Sequence, residues 1–170
     1  HELLAQRRAR AASFGIEGEF LHREIADQVS ERLEEVNKSF TDMAIVGPRA
    51  DLWAEMLGGK AVRDQETLDL EEGSLDLAIH GLALHWANDP VGQLVQMRRA
   101  LKPDGLMIAA MFGGQTLNEL RTSLAEAETE IEGGLSPRIA PMGEIRDLGG
   151  LIQRAGLALP VADSAKLTVT

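Results

Sequence analysis

In "GEFLHREIADQVSERLEEV", residues 18–36, Leu21, Ile25, Val29, Leu33 and Val36 recur every three or four positions. That is the period of a helix with one buried face. The pattern then shortens. Asp42 to Gly47 read as a strand, Ala50 to Leu57 as a short helix ended by Gly58-Gly59, and "KAVR" as a short buried strand before an acidic loop to Ser74. "LDLAIHG", residues 75–81, is apolar and leads into a further helix. In "ANDPVGQLVQMRRALKPDG" Asp89 stands where a helix N-cap belongs, with Pro90 at the first helical position. Val91, Leu94, Val95 and Leu101 then share a face, and Pro103-Asp104-Gly105 is expected to stop the helix. "LMIAAMF", residues 106–112, is apolar throughout, which predicts a central strand covered on both faces. Thr116 and Glu119 have the spacing of a capping box at the next helix start. Ile145, Leu148 and Ile152 predict a last helix closed by Gly156, with one or two strands after it.

Strand and helix alternate from about residue 42 onward, the signature of a mostly parallel sheet with helices on both faces. In such sheets ligands bind just beyond the carboxyl ends of the strands. Four strand ends carry glycine or polar residues there: Gly47-Pro48-Arg49, Asp64-Gln65, His80-Gly81 and Gly113-Gly114. Each alone reads as an ordinary turn; together they point to a cofactor crevice of unassigned specificity.

Length and charge narrow the class. A chain of 170 residues fits one domain. It has no cysteine, which removes thiol catalysis, cysteine-ligated zinc and disulfides, and fits a reducing compartment. Lys+Arg of 17 against Asp+Glu of 27 gives a net charge of −10, unfavourable for non-specific contact with nucleic acid or anionic membrane. No apolar run reaches the ~20 residues that span a bilayer. "HELLAQRRAR" holds three arginines and reads as a solvated helix face rather than a targeting peptide.

The stretch "VRDQETLDLEEGSLDLAIHGLALHWANDPVGQLVQMRRALKPDGLMIAAMFGGQTLNELR" resembles the second half of a class I S-adenosylmethionine-dependent methyltransferase. More narrowly, it resembles the group with biotin-pathway O-methyltransferases and the arginine-hydroxylating assembly factor of mitochondrial complex I. "LHWANDP", "LKPDGL", "MFGGQTLNELR" and "AEAETEIEGGLSPRIAP" are similar to the assembly-factor branch. The resemblance implies a Rossmann-like fold, incomplete here, with residues 1–40 as a helical segment and 41–170 as the α/β part of a single domain. It implies that Gly47 passes under the methionine part of S-adenosylmethionine, that Asp64 and Gln65 face the adenine, and that His80 lies beside the methionine tail. His85 and Trp86 then begin the substrate side.

The chain departs from that pattern where Gly47 is followed by Pro48, Arg49, Ala50 and Asp51 instead of further glycines. Proline removes an amide donor, and arginine sets a cation where a sulfonium prefers none. Between Leu57 and Lys60 there is no room for the family's second strand and its ribose-binding carboxylate. The opening turn therefore reads as a degenerate cradle.

His85 has two readings: a neutral imidazole that takes a proton from the acceptor, or a structural hydrogen-bond donor. Trp86 reads as a core or crevice-wall residue. Glu126, Glu128, Glu130 and Glu132 read as a solvated helix end and not a metal site, and Arg98 and Arg99 as outer-face residues.

The expected function is methyl transfer from S-adenosylmethionine to a small-molecule or protein acceptor, in the cytoplasm, with a homodimer as the candidate assembly and no metal. Gly47, Asp64, Gln65 and His80 are the expected cofactor contacts and His85 the acceptor-side candidate. The competing expectation is an assembly factor for a respiratory complex, non-catalytic or hydroxylase-like, on a degenerate methyltransferase fold.

Overall fold

The computed structural model describes residues 2–12, 19–136 and 142–168. The expected start of the first long helix at Gly18 and part of the "GGLSPRIAPMG" loop lie outside them. The elements are α1 (Glu2–Ala12), α2 (Phe20–Glu35), β1 (Met43–Val46), α3 (Ala50–Leu57), β2 (Lys60–Val62), β3 (Leu75–Gly81), α4 (Pro90–Ala100), β4 (Leu101–Ala110), α5 (Asn118–Glu132) and α6 (Ile145–Arg154). A single turn of 3-10 helix, Leu84–Trp86, lies between β3 and α4.

The four strands form one parallel sheet in the order β2-β1-β3-β4. Alternation along each strand decides which face a side chain serves. Ile45, Leu77 and Ile79 meet α2 and α3 through Ala26, Val29, Ala50 and Trp53. Ala44, Val46, Val62 and Ala78 point the other way, toward Met97 and Ala100 of α4. Both faces are thus covered by helices, as the α/β pattern requires, and α2 belongs to this same core.

β2 pairs directly with β1, Val46 facing Val62 in register. β2 thus takes the place beside β1 in the sheet.

Several expectations need correction. "LMIAAMF" is not central: β4 is an edge strand, only half-buried along its apolar part, because nothing among the described residues pairs with its outer side. β2 is likewise an edge, with only Val62 buried, so "KAVR" is not a buried strand. The fourth helix ends at Ala100, and β4 starts at Leu101, before Pro103. Asp104 makes the tight point there, at φ 64°. Thr116 and Glu119 form no capping box: α5 begins at Asn118 behind a left-handed Leu117, and the Thr116 hydroxyl donates to Gly113 C=O at 2.8 Å. Residues 157–168 contain no strand.

Other local readings hold for the stated physical reasons. Asp89 caps α4, its carboxylate accepting from Gly92 N–H at 2.8 Å with Pro90 at the start. Gly58 ends α3 at φ 85°, a conformation glycine adopts without Cβ strain, and Gly156 follows α6 at φ 80°. Arg98 and Arg99 are exposed.

Candidate functional site

The register brings the strand ends together. Val46 stands opposite both Val62 and His80, so β1, β2 and β3 reach the crevice level in one row. Gly47 lies one residue beyond that row and Asp64 two, while His80 lies within it. Since Val46, Val62 and Ala78 face α4, the period of two turns His80 and Asp64 toward α4 as well.

The α4 residue that meets them is Gln93, one turn before Met97 on the buried face. Its Nε2 donates to Asp64 Oδ1 and to Gln65 C=O, each at 3.1 Å. Both are acceptors only, so the amide orientation is fixed and Oε1 faces His80 Nε2 at 2.9 Å. His80 must then carry its proton on Nε2 as the neutral tautomer. Burial lowers its pKa, with the Gln93 bond opposing in part. The other ring nitrogen, Nδ1, is buried without a hydrogen-bond partner. Sequence reading missed Gln93 because the face read from Val91, Leu94, Val95 and Leu101 is turned away from the one that is buried, Gln93, Leu94, Met97 and Ala100.

Asp64 is held from two sides. The Arg8 guanidinium of α1 donates to Oδ2 at 2.9 Å while Gln93 holds Oδ1. The Asp64 side chain is only 2% exposed. Arg8 is thus a site residue, and the reading of "HELLAQRRAR" as a wholly solvated face is corrected for it. Gln65 contributes its backbone carbonyl to this network, and its own side chain is exposed.

Gly47 has a structural reason. A Cβ there would stand 2.6 Å from Gly81 C=O, so the ends of β1 and β3 need glycine to pass. A Cβ at Gly81 would press on the Trp53 ring at 3.1 Å. Trp53 in turn donates its indole N–H to His22 Nδ1 at 3.0 Å. Arg49 does not stand free toward the crevice: it pairs with Glu19 and lies 3.7 Å from Asp51. The Arg49 hydrogen bond is the main reason that the Glu19 pKa falls. The repulsion expected from this cation is therefore largely neutralised within the chain.

Beyond β3 the backbone turns through Leu82 in the left-handed region, φ 53°, with its N–H donated to Ala110 C=O at 2.9 Å. A buried leucine in that conformation costs roughly 1–2 kcal/mol, and the turn delivers the Leu84–Trp86 segment to the crevice. His85 packs edge-on to Phe112 with ring centroids 4.9 Å apart. Neither ring nitrogen has a partner, and its pKa is pushed down to about 4, first by burial and then by the Arg8 charge. Neither donor role expected of a structural histidine is realised. Trp86 is 48% exposed, so of its two readings, core or crevice wall, the core one does not hold.

Glu128 is also corrected: it is buried and accepts from Ser136 N–H at 2.8 Å, closing the end of α5. Among the described residues no group of histidines and carboxylates converges on a metal position. No helix among them is long and apolar enough to cross a membrane.

A parallel sheet with its polar strand ends in register defines a Rossmann-like crevice protein. The methyltransferase-domain family matches residues 21–109, and the chain belongs to that family. Arginine-hydroxylase NDUFAF5, mitochondrial, of Mus musculus is 43% identical over 137 residues, covering 80% of this chain and 40% of its own length. Malonyl-acyl-carrier-protein O-methyltransferase of Laribacter hongkongensis (strain HLHK9) is 37% identical over 107 residues, 63% of this chain and 34% of its own. The chain thus spans less than half the length of these relatives. Two solved structures share the fold at TM-score 0.57. One is a S-adenosylmethionine-dependent methyltransferase from Thermotoga maritima described as a possible histamine N-methyltransferase, 18% identical over 88% of this chain and 78% of that one. The other is the methyltransferase in complex with the Haloferax volcanii Trm112 methyltransferase activator, 15% identical over 89% and 75%.

Proposed function

We propose that this chain is the cofactor-binding part of a S-adenosylmethionine-dependent methyltransferase. The observation that carries the reading is the convergence of Asp64, Gln65 and His80 at the in-register carboxyl ends of β2 and β3. The residues fit the group at two places. A buried carboxylate, Asp64, suits the exocyclic amine of adenine, and the bare Nδ1 of buried His80 suits an N–H donor. The turn after β1 fits less well, because Pro48 follows Gly47 where a further glycine would offer a backbone amide.

The bound group would supply an electrophilic methyl. Asp64 and Gln65 would hold its adenine, Gly47 would border its methionine part, and His80 would accept from its tail. His85 is neutral at pH 7 with unpartnered ring nitrogens, so it would orient the acceptor through a hydrogen bond. With so low a pKa it is a weak base, unless its surroundings change. The acceptor is a small molecule or a protein. Residues 1–40 and 41–170 act as one domain, and the absence of cysteine favours a reducing compartment, for which we take the cytoplasm. The mitochondrial relatives make fractionation of a tagged chain the test of that location.

The second reading, an assembly factor or hydroxylase on this fold, draws on the arginine-hydroxylase relatives and on the glycine-poor turn Gly47-Pro48-Arg49. Titration of the purified protein with S-adenosylmethionine, S-adenosylhomocysteine and NAD separates the two. Saturable binding of the first two alone supports methyl transfer; binding of none supports the scaffold.

A further inference from the structure

Asp64 already has a cation in place. Its side chain is 2% exposed, Gln93 holds one oxygen, and the Arg8 guanidinium takes the other. Among the described side chains of α1, Arg8 alone is not exposed; Leu3, Gln6, Arg7, Ala9 and Arg10 all are. Among these described side chains the Arg8–Asp64 pair is the contact that ties α1 to the strand ends, across 56 positions of sequence. A nearly buried carboxylate that lost its cation would be left with Gln93 as its donor, and that deficit draws in any N–H donor of suitable shape.

We propose that Arg8 is an internal ligand of the Asp64 carboxylate, a latch holding α1 over the crevice, and that a ligand presenting N–H donors binds only by displacing it. This rests on the cofactor reading above, in which the displacing donor is the adenine amine. One ion then controls two groups. The Arg8 charge, after burial, is the largest cause depressing the His85 pKa, so release of α1 frees Asp64 and relieves His85 of that second cause while its burial remains. The closed chain is self-shielded, and weak cofactor affinity follows from competition. If the latch is open about one tenth of the time, apparent affinity is about tenfold below its intrinsic value.

The test uses the full chain with Arg8→Gln and Asp64→Asn. Without ligand, trypsin cleavage after Arg7 and Arg10 should be faster in both variants than in wild type; unchanged cleavage in both overturns the latch, whatever the ligand does. In equilibrium dialysis Arg8→Gln should bind S-adenosylhomocysteine about tenfold tighter than wild type, and the ligand should speed α1 cleavage in wild type. Equal or weaker affinity in Arg8→Gln, or ligand protection of α1, overturns the competition. Should α1 be released in both variants while none binds the ligand, the cofactor reading falls and the displacement claim with it.

Discussion

Gly47 and Gly81 approach so closely that a Cβ on the first would lie 2.6 Å from the carbonyl oxygen of the second. The first glycine of the β1 turn is therefore needed by the sheet itself, before any ligand is considered. Gly47 N–H also donates to Val62 C=O at 3.3 Å, tying the turn to the β2 end.

The first expected outcome follows directly. Gly47→Ala forces the backbone of β1 or β3 to shift and should destabilise the fold by about 1–3 kcal/mol, the usual cost of overpacking. Urea unfolding measures it. A loss of stability without any ligand present marks the residue as structural; unchanged stability contradicts the close approach.

Gln93 offers a second test. Gln93→Leu leaves His80 Nε2–H and Asp64 Oδ1 short of partners, at about 1–3 kcal/mol for each orphaned buried group. Nitrogen NMR of the wild type should show His80 as the Nε2–H tautomer. A signal for the Nδ1–H form would mean that the amide is turned the other way, and the hydrogen-bond chain from Arg8 to His80 would be broken at that point.

His85 gives the pH dependence. Its folded pKa, about 4, lies below the ordinary value of 6.5, so the unfolded chain binds a proton that the folded chain refuses between these values. Stability from this residue is complete above pH 6.5 and is lost as pH falls toward 4. His85→Phe should flatten that part of the stability profile. Wild type and variant with the same slope from pH 6.5 to 4 would show that His85 does not titrate as its burial and the Arg8 charge require.

The sheet and most helices were legible because their signals are local. The 3.6-residue spacing of Leu21, Ile25, Val29 and Leu33 matches α2, and Asp89-Pro90 marks the start of α4. What the sequence concealed was long-range. An apolar run such as "LMIAAMF" reports that a strand is compatible with two covered faces, but not that its outer edge finds no partner among the described residues. Arg49 reads as a cation beside the cradle until its ion pair with Glu19 is seen. The Arg8–Asp64 pair joins two segments with no periodic relation, and Gln93 in a buried helix face is explained only by the acceptors that surround it. Asp64 and His80 are legible as polar strand ends, their roles and the place of His85 come from the family resemblance, and their partners come from the packing.

The most direct test of the central claim is equilibrium dialysis of the purified chain with labelled S-adenosylmethionine. Expected is saturable but weak binding, in the high-micromolar range, because Arg8 holds Asp64 and Pro48 removes an amide donor from the turn after Gly47. Each charge-assisted hydrogen bond lost is worth about 1.5–3 kcal/mol, and every 1.4 kcal/mol, roughly, is tenfold in affinity. Tight stoichiometric binding would contradict the account of a self-latched crevice, and complete absence of binding at millimolar ligand would contradict the assignment of the crevice to this cofactor.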